Sequence, residues 1–155
     1  MTRARVLVAS TRAAAGAYAD TTGPVIAGWL QERGFDVAVE VASDGAAFAE
    51  ALRLAVAAGP DVVITTGGTG ISPTDRTPEA TKALLDYEIP GLAAAIRGAG
   101  AQKVPTAVLS RGVAGVAGRT LVVNLPGSAG GVRDGLAVLG GVLGHALEQL
   151  AGADH

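Results

Sequence analysis

Two aspartates, two arginines, a set of hydroxyls and two glycine-rich turns hold most of the chemistry this sequence offers. The first turn is Thr65-Thr66-Gly67-Gly68-Thr69-Gly70, followed by a polar turn containing Ser72, Thr74 and Asp75. Glycines at this density let the backbone take positive φ and let a ligand approach the main chain. Successive N–H groups in such a turn converge on an anion. The second turn is Pro126-Gly127-Ser128-Ala129-Gly130-Gly131. Each turn precedes a helix N-terminus, where unpaired N–H groups and the helix dipole favour negative charge. Two such turns suit a ligand with several phosphates, or two phosphorylated ligands. Asp44 and Asp75 facing those phosphates would suit Mg²⁺, a hard cation held by few protein ligands and the substrate's own oxygens. Arg12 and Arg111 would offset charge on a transferring phosphoryl group. The sequence has no cysteine, and its histidines are His145 and His155. No nucleophile–base pair is visible, so direct transfer between bound substrates is expected rather than a covalent intermediate.

Plainer readings compete. The first turn is not a P-loop, because no Gly-Lys-Ser/Thr follows. It is not the dinucleotide fingerprint, because the glycine spacing differs. An arbitrary Gly-Gly-Thr-Gly is more often a strain-relieving turn. Asp44 alone is as good a helix cap as a metal ligand, Asp20 reads as a cap, and Arg111 reads equally as a surface arginine. Asp75 is harder to dismiss, since Thr77 already supplies an N-cap ahead of Pro78 and Glu79. Trp29 reads as core.

The elements that must position these residues alternate. Apolar runs predict strands at Arg5–Ala9, Phe35–Val41, Val62–Ile64, Val104–Leu109 and Leu121–Leu125, with a short edge strand at Val113–Val116. A loop is expected over Ala13–Ala19. Helical spacing and punctuation predict a helix from about Pro24 to Gly34, then Ala46–Ala58, Pro78–Tyr87, Leu92–Gly98 and Val132–Leu150. Strands alternating with helices imply an α/β fold: a three-layer α/β/α sandwich on a mostly parallel central sheet, as one domain over residues 1–155. Ligands of such sheets bind beyond the carboxyl ends of the strands. That edge collects Ser10, Thr11 and Arg12, then Asp44, then Thr66 to Gly70 with Asp75, then Ser110 and Arg111, then Asn124, Pro126, Gly127 and Ser128.

Composition narrows the function classes. The 155 residues are 49% hydrophobic and 17% charged, which suits a packed domain and excludes a disordered one. The formal net charge of −2 and 3% aromatic content suggest neither a nucleic-acid nor an anionic-membrane partner. Without cysteine there are no disulfides, iron–sulfur ligands or thiolate zinc sites, which fits a cytoplasmic location. No apolar run is long enough to span a bilayer.

Five segments recur in order and spacing: Thr65–Gly70 (TTGGTG), Ser72–Thr81 (SPTDRTPEAT), Pro90–Arg97 (PGLAAAIR), Pro105–Arg111 (PTAVLSR) and Asn124–Ser128 (NLPGS). Together they resemble the molybdopterin-binding family typified by MogA and MoaB, related to a plant cofactor-synthesis domain and to gephyrin. The resemblance covers nearly the whole chain. It implies a three-layer fold, a homotrimer or homohexamer, and adenylylation of molybdopterin by Mg-ATP with release of pyrophosphate. A downstream molybdenum-insertion protein would take the product. It places the two activity-bearing, Mg²⁺-positioning aspartates on Asp44 and Asp75. The ligand sites fall on Thr66, Gly67, Gly68, Thr69, Gly70, Ser72, Ser110, Arg111, Asn124, Pro126, Gly127 and Ser128. Ser10 to Arg12 and Gly16 to Gly23 match a loop near the nucleotide. The chain departs from the family pattern at Ser43, Gly45, Thr74, Ala94 and Gly130. Two other classes stay open: a non-catalytic pterin carrier or scaffold, and a nucleotide-pyrophosphate hydrolase of related fold.

Overall fold

The computed structural model describes residues 2–16 and 19–152. In chain order the elements are β1 (Arg3–Ala9), α1 (Thr11–Ala14), α2 (Thr22–Gln31), β2 (Asp36–Ala42), α3 (Ala46–Ala57), β3 (Val62–Thr66) and α4 (Thr77–Lys82). Then come β4 (Tyr87–Glu88), α5 (Pro90–Ala101), a 3-10 helix (Pro105–Leu109), β5 (Ala114–Ala117), β6 (Thr120–Leu125), α6 (Ala129–Gly140) and α7 (Leu143–Leu150).

The sheet runs in the order β2-β1-β3-β6-β5-β4. The strands β2, β1, β3 and β6 are parallel, while β5 runs antiparallel to β6 and β4 antiparallel to β5. Because side chains alternate along a strand, the sheet builds two cores. Val6, Ile64, Leu121 and Val123 point to one face, where Ile26 and Leu30 of α2, Ile96 of α5, Leu136 and Leu139 of α6 and Leu143 of α7 cover them. Leu7, Val63 and Val122 point to the other, against Phe48 and Leu52 of α3. Three layers result, as the alternation of strand and helix implies.

The helices α2 and α3 carry the chain off opposite edges of β1, so the strand order reverses between β1 and β3. At such a switch point the loops leaving two adjacent strands diverge and leave a crevice at their carboxyl ends.

Several expected elements are different in the structure. Val104–Leu109 is not a strand. Pro105 opens a 3-10 helix closed by Ala107 N to Val104 O at 3.0 Å and Ser110 N to Ala107 O at 3.1 Å. Val104, Val108 and Leu109 are exposed, so their apolar run marks a surface rather than a core strand. The strand near Val113 is not at an edge, because β4 covers it. The helix expected to reach Tyr87 stops at Lys82, because Asp86 N and Ile89 N donate to Val116 O and Ala114 O and draw the chain to the sheet. Thr77 is not an N-cap: it is the first residue of α4 and its hydroxyl caps nothing there. The long C-terminal helix is broken at Gly141–Val142 into α6 and α7. Four residues of the loop expected over Ala13–Ala19 are placed otherwise or not described: Ala13 and Ala14 close the short α1, and residues 17 and 18 lie outside the described residues, as does His155. Trp29 is half-buried against the core, with the Arg33 guanidinium stacked 3.6 Å from its ring centre.

Asn124 is the polar keystone of β6. Its amide donates to Thr65 Oγ1 at 2.9 Å and Thr81 Oγ1 at 3.0 Å, and its carbonyl accepts from Val113 N at 3.1 Å. It is 3% exposed. Asn124→Ala strands these partners without water, at a cost of roughly 3 kcal/mol. Urea unfolding should show a lower midpoint with an unchanged slope.

Candidate active site

The crevice at the switch point is lined by the first glycine turn. Gly67 and Gly68 both sit at positive φ, +88° and +69°. A Cβ on Gly67 would lie 2.5 Å from the Ala9 carbonyl oxygen, so only glycine lets β3's exit pass this close to the end of β1. The turn is pinned on each side. Gly67 N donates to Leu125 O at 3.2 Å, and Thr77 N donates to Gly68 O at 3.1 Å. The Thr77 hydroxyl donates to Gly67 O at 3.0 Å. Thr66 Oγ1 donates to Pro126 O at 2.8 Å, which joins the first glycine turn to the second.

Asp44 and Asp75 flank this turn. Asp44 Oδ1 lies 3.3 Å from the position of a Cβ on Gly68, and Asp75 Oδ2 lies 2.8 Å from that on Gly70. Asp44 does not cap α3, whose N-cap is Gly45 with no side-chain bond. Instead Thr11 holds it, with Thr11 N and Oγ1 donating to Asp44 Oδ2 at 3.2 and 3.0 Å and Asp44 N donating back to Thr11 Oγ1 at 3.1 Å. Asp75 Oδ2 accepts from Ser72 N at 3.0 Å, which closes the polar turn. The two carboxylates, distant in sequence, therefore meet on one rim.

Two cavities lie beside the glycine turn, and neither Asp44 nor Asp75 borders either of them. The larger, about 610 Å³, is bounded by Thr69, Gly70, Ser110, Gly127 and Ser128, with Ile96, Gly100 and Ala107 as an apolar bed. The smaller, about 170 Å³, is bounded by Ser10, Asp20, Thr22, Thr66 and Gly67. Gly127 borders both. The arrangement offers two compartments that share Gly127, with Asp44 and Asp75 set beside Gly68 and Gly70 of the turn between them. That layout suits two ligands that react at their contact.

Not every expected residue reaches this rim. Asn124 is buried and bonded on both amide atoms, and it organises the sheet beneath the site. Arg111 borders neither cavity, and its guanidinium bonds Gly70 O, Asp75 O and Glu79. Arg12 sits exposed on α1 and Ser72 on the outer turn, bordering neither cavity. Ser10 Oγ accepts from Ala13 N and caps α1, while Ser128 Oγ accepts from Gly131 N and caps α6. Asp20 accepts from Gly23 N, as its reading as a cap expects. Of the charged residues at the larger cavity, Arg97 closes the Pro90–Arg97 segment, while Lys103, Arg133 and Asp134 carry no local motif in the sequence. They come together only because α5 packs on α6.

The carboxylates suit a divalent cation in one respect that the structure supports. The ion pairs among the described residues are Glu50–Arg53, Asp134–Lys103 and Glu79–Arg111, so neither Asp44 nor Asp75 has its charge cancelled by such a pair. No group of three or more His, Cys, Asp or Glu gathers among the described residues. The described residues thus offer a pair of carboxylates at this turn, which fits Mg²⁺ completed by substrate oxygens and water and does not fit a closed structural site. The Arg111 hydrogen bond, with a smaller contribution from its own backbone bond, holds the Glu79 carboxyl below its usual range. The pair is therefore formed at neutral pH and is lost only as pH falls through that lowered value.

Residues 5–145 match the family described as a probable molybdopterin binding domain. The chain belongs to this family. Among members of the molybdopterin-binding domain family, it is 34% identical over 152 residues to the molybdopterin adenylyltransferase of Helicobacter pylori strain J99, covering 95% of this chain and 86% of that protein. It is 39% identical over 154 residues to the molybdenum cofactor biosynthesis bifunctional protein of Synechococcus elongatus, covering 98% of this chain and 48% of that protein. The chain therefore spans about half the length of that relative. The solved structure of the molybdopterin biosynthesis Mog protein from Mycobacterium ulcerans superposes with a TM-score of 0.94 at 62% identity, covering 97% of this chain and 99% of that one. The α/β fold and the family expected from the five segments both hold.

Proposed function

We propose that this protein is a molybdopterin adenylyltransferase, moving AMP from Mg-ATP to molybdopterin with release of pyrophosphate. The observation that carries this reading is the pair of aspartates on either side of a glycine turn between two cavities. A phosphate oxygen of the pterin attacks the α-phosphorus of ATP, a new P–O bond forms, and the bond to the bridging oxygen breaks as pyrophosphate leaves. The backbone N–H groups of Gly68–Gly70 and the start of α6 orient the phosphates. The apolar bed of the larger cavity takes a flat ring. Asp44 and Asp75 would hold Mg²⁺, which when bound offsets phosphate charge. The resemblance to active family members supports a homotrimer or homohexamer in the cytoplasm that hands its product to a molybdenum-insertion protein. Among the described residues no helix is long and apolar enough to cross a membrane.

The test is purified protein with molybdopterin, ATP and Mg²⁺. Adenylylated pterin and pyrophosphate should appear in equal amounts. Pterin binding without ATP binding or product would favour a carrier instead, and cleavage of a dinucleotide without pterin would favour a hydrolase.

Thr11 supplies a more local prediction. Thr11→Val keeps the shape but removes the hydroxyl that bonds Asp44 at both its carboxylate and its amide. A hydrogen bond to a charged group is worth about 1.5 kcal/mol, or roughly tenfold in rate. The turnover number should fall by about that factor, while Thr11→Ser should match the unsubstituted protein. Steady-state kinetics of the pair would decide it.

A further inference from the structure

We propose that Arg111, with Glu79, is a positioning residue that fixes the glycine turn and the Asp75 carboxylate, and that it does not contact substrate phosphate. The proposal rests on the adenylyl-transfer reading only for its kinetic arm.

Four observations carry it. First, all three guanidinium nitrogens are engaged inside the protein. Nε donates to Gly70 O at 2.9 Å, Nη2 to Asp75 O at 2.9 Å, and Nη1 to Glu79 Oε2 at 2.7 Å, with Nη2 reaching Glu79 Oε1 at 3.4 Å. Second, the Arg111 backbone N donates to Thr69 O at 2.7 Å. One residue thus holds three carbonyls, those of Thr69, Gly70 and Asp75, which bracket the polar turn. Third, Thr69, Gly70 and Ser110 border the larger cavity while Arg111 and Asp75 do not, so the guanidinium reaches the cavity wall through the turn's backbone. Fourth, the segment that carries Arg111 is itself anchored. Arg97 Nη1 donates to Ser110 O at 3.1 Å and to Gly112 O at 3.3 Å, the carbonyls on either side of it.

The chain of support therefore runs from α5 through Arg97 to residues 110–112, and through Arg111 to Gly70 and Asp75. Glu79 on α4 closes it, because its carboxylate orients the planar fork so that Nε and Nη2 meet the two carbonyls. A lysine has a single ammonium on a flexible stem and reproduces neither the fork nor the simultaneous contacts. Such a brace governs where Asp75 sits, and misplacing a group by about 1 Å costs up to about 100-fold in rate.

The experiment compares Arg111→Lys, Glu79→Gln and the double variant in the full chain. Hydrogen exchange of peptides covering residues 67–77 is the first readout, and it needs no activity. Exchange there should speed up about tenfold in each variant with peptides of β1 and α3 unchanged. Adenylyl transfer is the second. The turnover number should fall about tenfold or more in each single variant with the KM for ATP within twofold, and the double variant should be little worse than either. Two results would overturn the proposal: exchange over residues 67–77 indistinguishable from the unsubstituted protein, or Glu79→Gln tightening ATP binding, as expected of an arginine released towards phosphate. If the unsubstituted protein transfers no adenylyl group, the functional reading fails and the exchange arm still decides the brace.

Discussion

Replacing Asp75 by asparagine is expected to reduce adenylyl transfer by roughly a hundredfold or more, the scale of losing one electrostatic group that acts on the transition state. The substitution is chosen because it leaves the local structure in place. Asp75 Oδ2 accepts from Ser72 N at 3.0 Å, and an asparagine carbonyl oxygen accepts the same bond. What disappears is the negative charge beside Gly70, on a carboxylate that no ion pair among the described residues neutralises. The variant should melt within a few degrees of the unsubstituted protein and should bind Mg²⁺ or Mn²⁺ in the presence of ATP more weakly, read by calorimetry. Activity within threefold of the unsubstituted protein would remove Asp75 from the mechanism. Asp44→Asn should behave alike, although Thr11 Oγ1 and N both donate to the same oxygen and keep the asparagine oriented.

Gly67→Ala is expected to be strongly destabilising for a single added methyl group. Two effects add. The residue sits at φ +88°, which costs a non-glycine residue about 1–2 kcal/mol. The new Cβ would also stand 2.5 Å from the Ala9 carbonyl oxygen, a backbone atom at the end of β1 that cannot rotate away. Relief requires β1 and β3 to part at their carboxyl ends, where the site lies. Gly59 is the control, since it sits at φ +68° with nothing within 4 Å of its Cβ position. Gly59→Ala should cost only the conformational part, about 1 kcal/mol. Denaturant unfolding of both variants should show Gly67→Ala less stable by at least a further 2 kcal/mol or so. Equal losses would mean that the close approach of the two strands contributes nothing.

The amino-acid sequence by itself determined the layer architecture and the two glycine turns, because each is a local signal: Val62–Ile64 is apolar throughout and the glycines of each turn lie close together. The sequence misread segments whose state depends on a distant partner. Val104–Leu109 has a strand's composition, but Pro105 and packing on α5 make it a 3-10 helix with Val108 and Leu109 in solvent. Residues 83–87 looked helical until β5 offered carbonyls to Asp86 and Ile89. Asn124 and Arg111 were both legible as polar residues beside the rim. Only the tertiary structure decided that one is buried beneath it and the other is bonded to the turn's backbone, because a hydrogen-bond donor's role is set by which acceptors the fold brings within 3 Å or so, and those acceptors lie elsewhere in the chain.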